Sequence, residues 1–88
     1  MRKLEKLLKA FANARRLAIL KFLSKEKEAH VSAISREIGL SFKSTSRHLA
    51  VLYAVDLLAK EQRDVEVFYR LKEEAKPSIK TILNIPTS

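Results

Sequence analysis

One glycine occurs in the whole chain, at position 39, and it falls between two stretches with helical spacing. Val31, Ile34 and Ile38 precede it at intervals of three and four, the apolar stripe of a short helix. Phe42, Thr45, Leu49 and Leu52 follow at three, four and three, the inward stripe of a second helix. A glycine directly after a helix supplies the left-handed residue that ends it, and Ser41 stands where the next helix needs its N-cap. Only Gly39 to Ser41 then join the two helices, so they must cross steeply rather than continue as one rod. Such a pair is a helix-turn-helix.

The flanking segments complete the pattern. Leu4, Leu7, Leu8 and Phe11 mark an amphipathic helix from about Arg2 to Phe11, with Lys3, Lys6 and Lys9 turned elsewhere. Asn13 stands as N-cap before Leu17, Ile19, Leu20 and Leu23, a second helix ending near Ser24, and Lys25 to Glu28 form a connection. After Asp56 the period changes to the short runs LLAKEQ and VEVFYRL, separated by Arg63 and Asp64. In the second run Val65, Val67, Tyr69 and Leu71 alternate with Glu66, Phe68 and Arg70, the period of a strand. A β-hairpin directly after the second helix of a helix-turn-helix makes it winged. Pro77 suits the first turn of a last helix carrying Ile79, Ile82 and Leu83, and Pro86 closes the pattern. The predicted fold is α+β and mostly helical, one winged helix-turn-helix domain over residues 1–88.

Composition narrows the partner. A formal charge of +8 favours polyanions by long-range attraction. Arg2, Lys3, Lys6, Lys9, Arg15, Arg16, Lys21, Lys25 and Lys27 place most of the excess in the first third, so charge alone does not mark the reading surface. The absence of cysteine excludes disulfides, thiolate metal sites and thiol redox sensing. No apolar run approaches the ~20 residues that span a bilayer, which sets the expectation of a cytoplasmic protein with no membrane partner. No cysteine nucleophile, phosphate-cradling glycine loop, catalytic triad or metal spacing is present, so no enzyme is expected. A body of 88 residues has a marginal core, which favours burial of further surface in a dimer.

The chemistry gathers at the start of the helix from 41 to 55. Ser41, Lys43, Ser44, Thr45, Ser46 and Arg47 offer hydrogen-bond groups and two cations. Lys43, Arg47, Ala50 and Ala54 form the outward stripe, with small Ala50 permitting close approach. In a recognition helix Arg47 suits a guanine edge, Lys43 a phosphate or guanine, and Ser44 and Ser46 bases or phosphates. Phe42 is expected to pack inward, or to touch a thymine methyl from the helix start. His48, between the inward and outward faces, is a structural residue or a phosphate contact, and Arg63 at the hairpin is a solubilising charge or a DNA contact. His30 and His48 lack partners at ligand spacing, so no metal or cofactor is expected.

These residues resemble the ArsR family of winged-helix transcriptional repressors over roughly Leu8 to Leu71. The family's opening pattern, Leu-Lys-Ala-Leu-Ala-Asp-Pro-x-Arg-Leu-x-Ile-Leu, is similar to LKAFANARRLAIL here. Its recognition segment, close to Leu-Ser-Gln-Ser-Thr-Val-Ser-His-His-Leu, aligns without a gap on LSFKSTSRHL, and its wing ending Val-Tyr-Tyr-Arg-Leu aligns on VFYRL. The resemblance implies an obligate homodimer joined by the first and last helices, residues 1–12 and 77–85, through Leu4, Leu7, Leu8, Phe11, Ile79, Ile82 and Leu83. It also implies two recognition helices in successive major grooves of double-stranded DNA, a pseudo-palindromic operator, and repression by promoter occupancy.

Departures from the family pattern matter equally. Many members sense metal through a Cys-Val-Cys box, and its places here hold His30, Val31 and Ser32. Others use His residues on the last helix, and nothing after Leu71 is a His. The resemblance thus carries over the DNA-binding scaffold and not the metal switch, leaving any effector unknown. Asp64 takes the place of the wing's usual Gly, which predicts a reshaped tip. A second function class stays open, a winged helix whose basic surface recruits an acidic protein and whose DNA binding has lapsed. Salt-dependent binding of duplex DNA separates the two.

Overall fold

The computed structural model describes residues 1–86. Helix α1 (Arg2–Phe11) is followed by α2 (Ala14–Lys25), strand β1 (Ala29–His30), α3 (Val31–Ile38) and α4 (Phe42–Ala54). The hairpin strands β2 (Leu58–Arg63) and β3 (Glu66–Leu71), a 3-10 turn (Glu73–Ala75) and α5 (Lys76–Leu83) complete the chain. No helix among the described residues is long and apolar enough to cross a membrane.

Caps set these boundaries. Asn13 Oδ1 accepts from the N–H groups of Arg15 (3.0 Å) and Arg16 (3.1 Å), starting α2. Gly39 adopts φ +69°, and the Leu40 N–H returns to the Ser35 carbonyl at 3.1 Å, so α3 stops where the glycine permits a left-handed residue. Ser41 Oγ accepts from the Ser44 N–H at 3.1 Å and starts α4 two residues later. Asp56, at φ +63°, does for α4 what Gly39 does for α3, the Leu57 N–H closing on the Leu52 carbonyl at 3.1 Å.

The core joins every layer. Ile19, Leu20 and Leu23 of α2, Ile34 of α3 and Leu49 and Leu52 of α4 meet Leu58, Tyr69 and Leu71 of the sheet and Ile79 of α5. Each fully buried Leu or Ile contributes roughly 1.5–3 kcal/mol relative to exposure.

The sheet has three strands where the sequence predicts two. Its order is β1-β3-β2, antiparallel throughout, with Ala29 opposite Tyr69 and Leu58 opposite Leu71. The hairpin register pairs Arg63 with Glu66, leaving Asp64 and Val65 as the loop. Asp64 takes φ +55°, the conformation for which Gly is usual, and Val65 is exposed rather than on the inward stripe.

Three apolar assignments change. Phe11 and Ile79, expected at a dimer interface, are buried in the protomer's own core. Phe11 lies at the end of α1 and Ile79 is the one buried residue of α5, and both helices pack on α2. Phe42, expected to pack inward, is 59% exposed. Side chains lean toward the N-terminus of their helix, so a ring on the first residue of α4 projects past its start instead of over the core.

Candidate nucleic-acid interface

Helix α4 divides into two faces. Thr45, Leu49 and Leu52 are buried against the core, while Lys43, Arg47, Ala50 and Ala54 are exposed on the opposite side. Lys43 and Arg47 make no ion pair among the described residues, so both cations are free to meet an anion. The first turn of α4 holds no acidic residue. Its positive dipole end, the Lys43 ammonium and the remaining N–H groups therefore add in sign and favour a phosphate there. Ser44 and Ser46 are half-buried beside this face, and Phe42 stands exposed at its entrance.

Thr45 does not belong to that surface. Its side chain is fully buried and Oγ1 has no hydrogen-bond partner among the described residues. The expected role in DNA contact is corrected by its position: a hydroxyl on the inward face at the level of the first core layer cannot reach a groove.

His48 lies at the edge between the two faces. Its Nδ1 sits 3.4 Å from Arg16 Nη1. Burial, and then the Arg16 and Arg15 charges, hold its pKa below the usual histidine value, so the neutral ring with Nδ1 as acceptor is favoured. The same Arg16 donates from Nε to the Ala10 carbonyl (2.8 Å) and from Nη2 to the Lys9 carbonyl (2.9 Å). One guanidinium thus ties the end of α1 to the side of α4. The sequence shows Arg16 only as part of a basic run and at the Arg of the ArsR opening pattern; neither signal gives its role.

Arg63, expected as a wing contact, is committed elsewhere. It donates to both carboxylate oxygens of Glu28 (2.5 and 2.7 Å) and to Glu61 (2.9 Å), and lies 4.5 Å over the Phe68 ring. The Arg63 hydrogen bonds hold the Glu28 carboxyl below its ordinary pKa. This cluster braces the wing against the residue before β1. A second brace, Lys60 over the Tyr53 ring at 4.3 Å, fixes the wing to the end of α4.

His30, at the place of the family's first metal-box cysteine, caps α3. Its Nδ1 accepts from the Ala33 N–H at 3.2 Å, and its ring meets Phe68 edge-on at 5.6 Å. Among the described residues no group of three or more His, Cys, Asp or Glu gathers at metal-binding distances.

Comparison with known proteins fits this geometry. Residues 13–60, from the cap of α2 into β2, match the family model for bacterial regulatory proteins of the arsR family. The chain is 42% identical over 62 residues to the nodulation protein NolR of Rhizobium meliloti, covering 70% of this chain and 49% of that one. It therefore spans about half the length of that relative. It is 34% identical over 73 residues to the HTH-type transcriptional regulator YgaV of Escherichia coli (strain K12), covering 83% and 74% of the two chains. Among solved structures, a homodimeric winged helix-turn-helix DNA-binding domain from Mycobacterium bovis superposes with a TM-score of 0.85 at 27% identity, over 92% of this chain and 75% of that one. The family's members are regulators rather than enzymes. On its motifs, its fold and these matches, the chain belongs to the arsR family of bacterial regulatory proteins, DNA-binding winged helix-turn-helix transcriptional regulators.

Proposed function

We propose that the protein works as a cytoplasmic homodimer that reads the major groove of a pseudo-palindromic operator with α4 and represses by occupying the promoter. The observation that carries this reading is the unpaired, exposed Lys43–Arg47–Ala50 face, held rigid by a capped turn on one side and the core on the other. Arg47 is the candidate for a bidentate guanine contact and Lys43 for phosphate, with Ser41, Ser44 and Ser46 as further donors. Phe42, exposed at the start of α4, is the candidate for contact with a thymine methyl. Arg63 and His48 act as braces in this reading, and Thr45 supports α4 from beneath.

Dimer formation draws support from a different surface. Leu4 and Leu8 of α1 are 49% and 56% exposed and Met1 is 97% exposed, an apolar stripe left open by the described residues of the protomer. Leu7 and Ile82 are half-buried and extend what a partner can cover, while Leu83, expected at the interface, lines the cleft between α2 and α5. The homologous Mycobacterium bovis domain is homodimeric. A two-fold pair of recognition helices one helical turn apart then calls for half-sites about 10 base pairs apart.

The test is to incubate the protein with sheared DNA of its source organism and sequence what is retained. Enrichment of an inverted repeat near a promoter supports the reading. Retention without sequence preference, or none, together with a monomer at micromolar concentration in sedimentation, contradicts it and favours a protein-binding winged helix.

A further inference from the structure

Two lysine pairs face one another away from the recognition helix. Lys21 and Lys25 on α2, and Lys76 and Lys80 on α5, are each spaced four apart and line the same cleft of about 890 Å³ between the two helices. Like charges at this spacing repel along the helix that carries them, and only Lys76 has an acidic partner, Glu73, among the described residues. The acidic groups in the cleft do not offset the repulsion. Glu73 is taken by Lys76 at 3.0 Å and Glu28 by Arg63, which leaves Glu26 against Lys21, Lys25, Lys27, Arg70 and Lys80, none of them ion-paired among the described residues.

The cleft's leucines lie beneath this rim. Leu23 and Leu71 are buried at its base and Leu83 is half-buried at its side. Its volume falls in the ~300–1,000 Å³ range of small-molecule sites. A second copy of this chain does not suit it, because the exposed apolar helix that copy would offer carries Arg2, Lys3, Lys6 and Lys9 against a single Glu5. A flat lipid surface cannot reach leucines at the base of a cleft, and a duplex has no apolar chain long enough to extend to them.

We propose that this cleft binds a soluble amphiphilic anion, with its apolar chain over Leu23, Leu71 and Leu83 and its anionic head between the lysines of α2 and α5. Helix α2 joins this site to the DNA-reading helix: its last two turns line the cleft, and Arg16 in its first turn touches His48 of α4. The inference does not depend on which DNA sequence the protein reads.

The experiment titrates the full chain with dodecanoate below its micelle concentration, and in parallel with dodecyl maltoside, which has the chain and a neutral head, and with acetate, which has the head alone. Methyl NMR signals of Leu23 and Leu83 and a calorimetric Kd are the readouts. Dodecanoate is expected to bind at least roughly tenfold more tightly than either control and to move those methyls, since both halves of the site are engaged. The double variant Lys21→Gln/Lys80→Gln should weaken dodecanoate by about tenfold or more while leaving dodecyl maltoside unchanged, and should unfold at or above the wild-type midpoint, because a repulsive pair is relieved on each helix. Equal binding of dodecanoate and dodecyl maltoside, methyl shifts confined to Leu4 and Leu8 of α1, or binding of anionic phospholipid vesicles in place of the monomeric acid would each overturn the proposal. Loss of duplex affinity by the double variant without amphiphile would also overturn it, by making the cleft part of the DNA surface.

Discussion

Replacing Arg16 by alanine removes the one side chain that holds the end of α1 against the recognition helix. Its guanidinium supplies two charge-assisted hydrogen bonds to the Ala10 and Lys9 carbonyls, at 2.8 and 2.9 Å, and a weaker one at 3.4 Å to His48. These carbonyls belong to the last turn of α1, where no further helical N–H is available and the negative dipole end favours a cation. Lys9 keeps the Ala12 N–H at 3.2 Å, but Ala10, with no exposed surface, relies on Arg16. Hydrogen bonds to a charged group contribute about 1.5–3 kcal/mol each, and water entering the vacated half-buried space recovers part of that. The expected cost of Arg16→Ala is therefore about 2–3 kcal/mol. For a domain of this size that lowers Tm by about 8–24 °C in a scan at fixed protein concentration. Arg16→Lys should recover about half, because one ammonium reaches one carbonyl. Arg15→Ala is the control: its side chain makes no hydrogen bond within the described residues, and its change should stay within about 0.5 kcal/mol. If Arg16→Ala is no less stable than Arg15→Ala, the clamp between α1 and α4 does not exist in solution.

Three further substitutions probe the turn and the two faces of α4. Gly39→Ala should destabilise by about 1 kcal/mol in urea unfolding purely through φ +69°, since an added Cβ meets no atom within 4 Å, and Gly39→Asn should cost less. Thr45→Val removes a buried hydroxyl without a partner and should stabilise by about 1 kcal/mol while leaving duplex affinity unchanged in a fluorescence titration; lost affinity would return Thr45 to the contact surface. His48 has a depressed folded pKa, so the fold favours its neutral form. That contribution is complete above pH about 6.5 and is lost as pH falls through the lower folded value. The urea midpoint of the wild type should thus drop more on acidification than that of His48→Gln, and equal drops would refute the assignment.

The helices, the turn and the wing were legible because each repeats a period over several residues and ends at a residue with one dominant use: Gly39, Asn13 and Ser41 all do what their types suggest. Strand β1 was not legible, since two residues carry no period and Ala29–His30 exist as a strand only through pairing with β3. Phe42 and Phe11 exchange roles for a reason that spacing does not contain. Periodicity gives the azimuth of a side chain, and whether anything covers that azimuth depends on how far along the axis the neighbouring helix extends. Within the candidate interface, the outward positions of Lys43 and Arg47 follow from helical phase alone. The engagement of Arg63 with Glu28, and of Arg16 with α1 and His48, does not, because these pairs are 35, 6 or 7, and 32 residues apart in sequence. A count of basic residues treats Lys43, Arg47, Arg63 and Arg16 as equivalent, and only the three-dimensional arrangement separates those that are free from those that brace the fold.

The central claim is that the exposed face of α4 reads DNA, and it is tested most directly by measuring duplex affinity against salt for Lys43→Ala, Arg47→Ala and the pair combined. Arg47→Ala should cost about 1–3 kcal/mol on the preferred site and little on random duplex, relaxing the preference at one base pair of each half-site. Lys43→Ala should weaken all sequences alike and reduce the slope of log affinity against log salt by about one for each protomer, about two in a dimer. A folded dimer in which the combined variant keeps wild-type affinity, base preference and salt slope would contradict the account, and the hydroxyl-rich start of α4 would then be only a solvated cap.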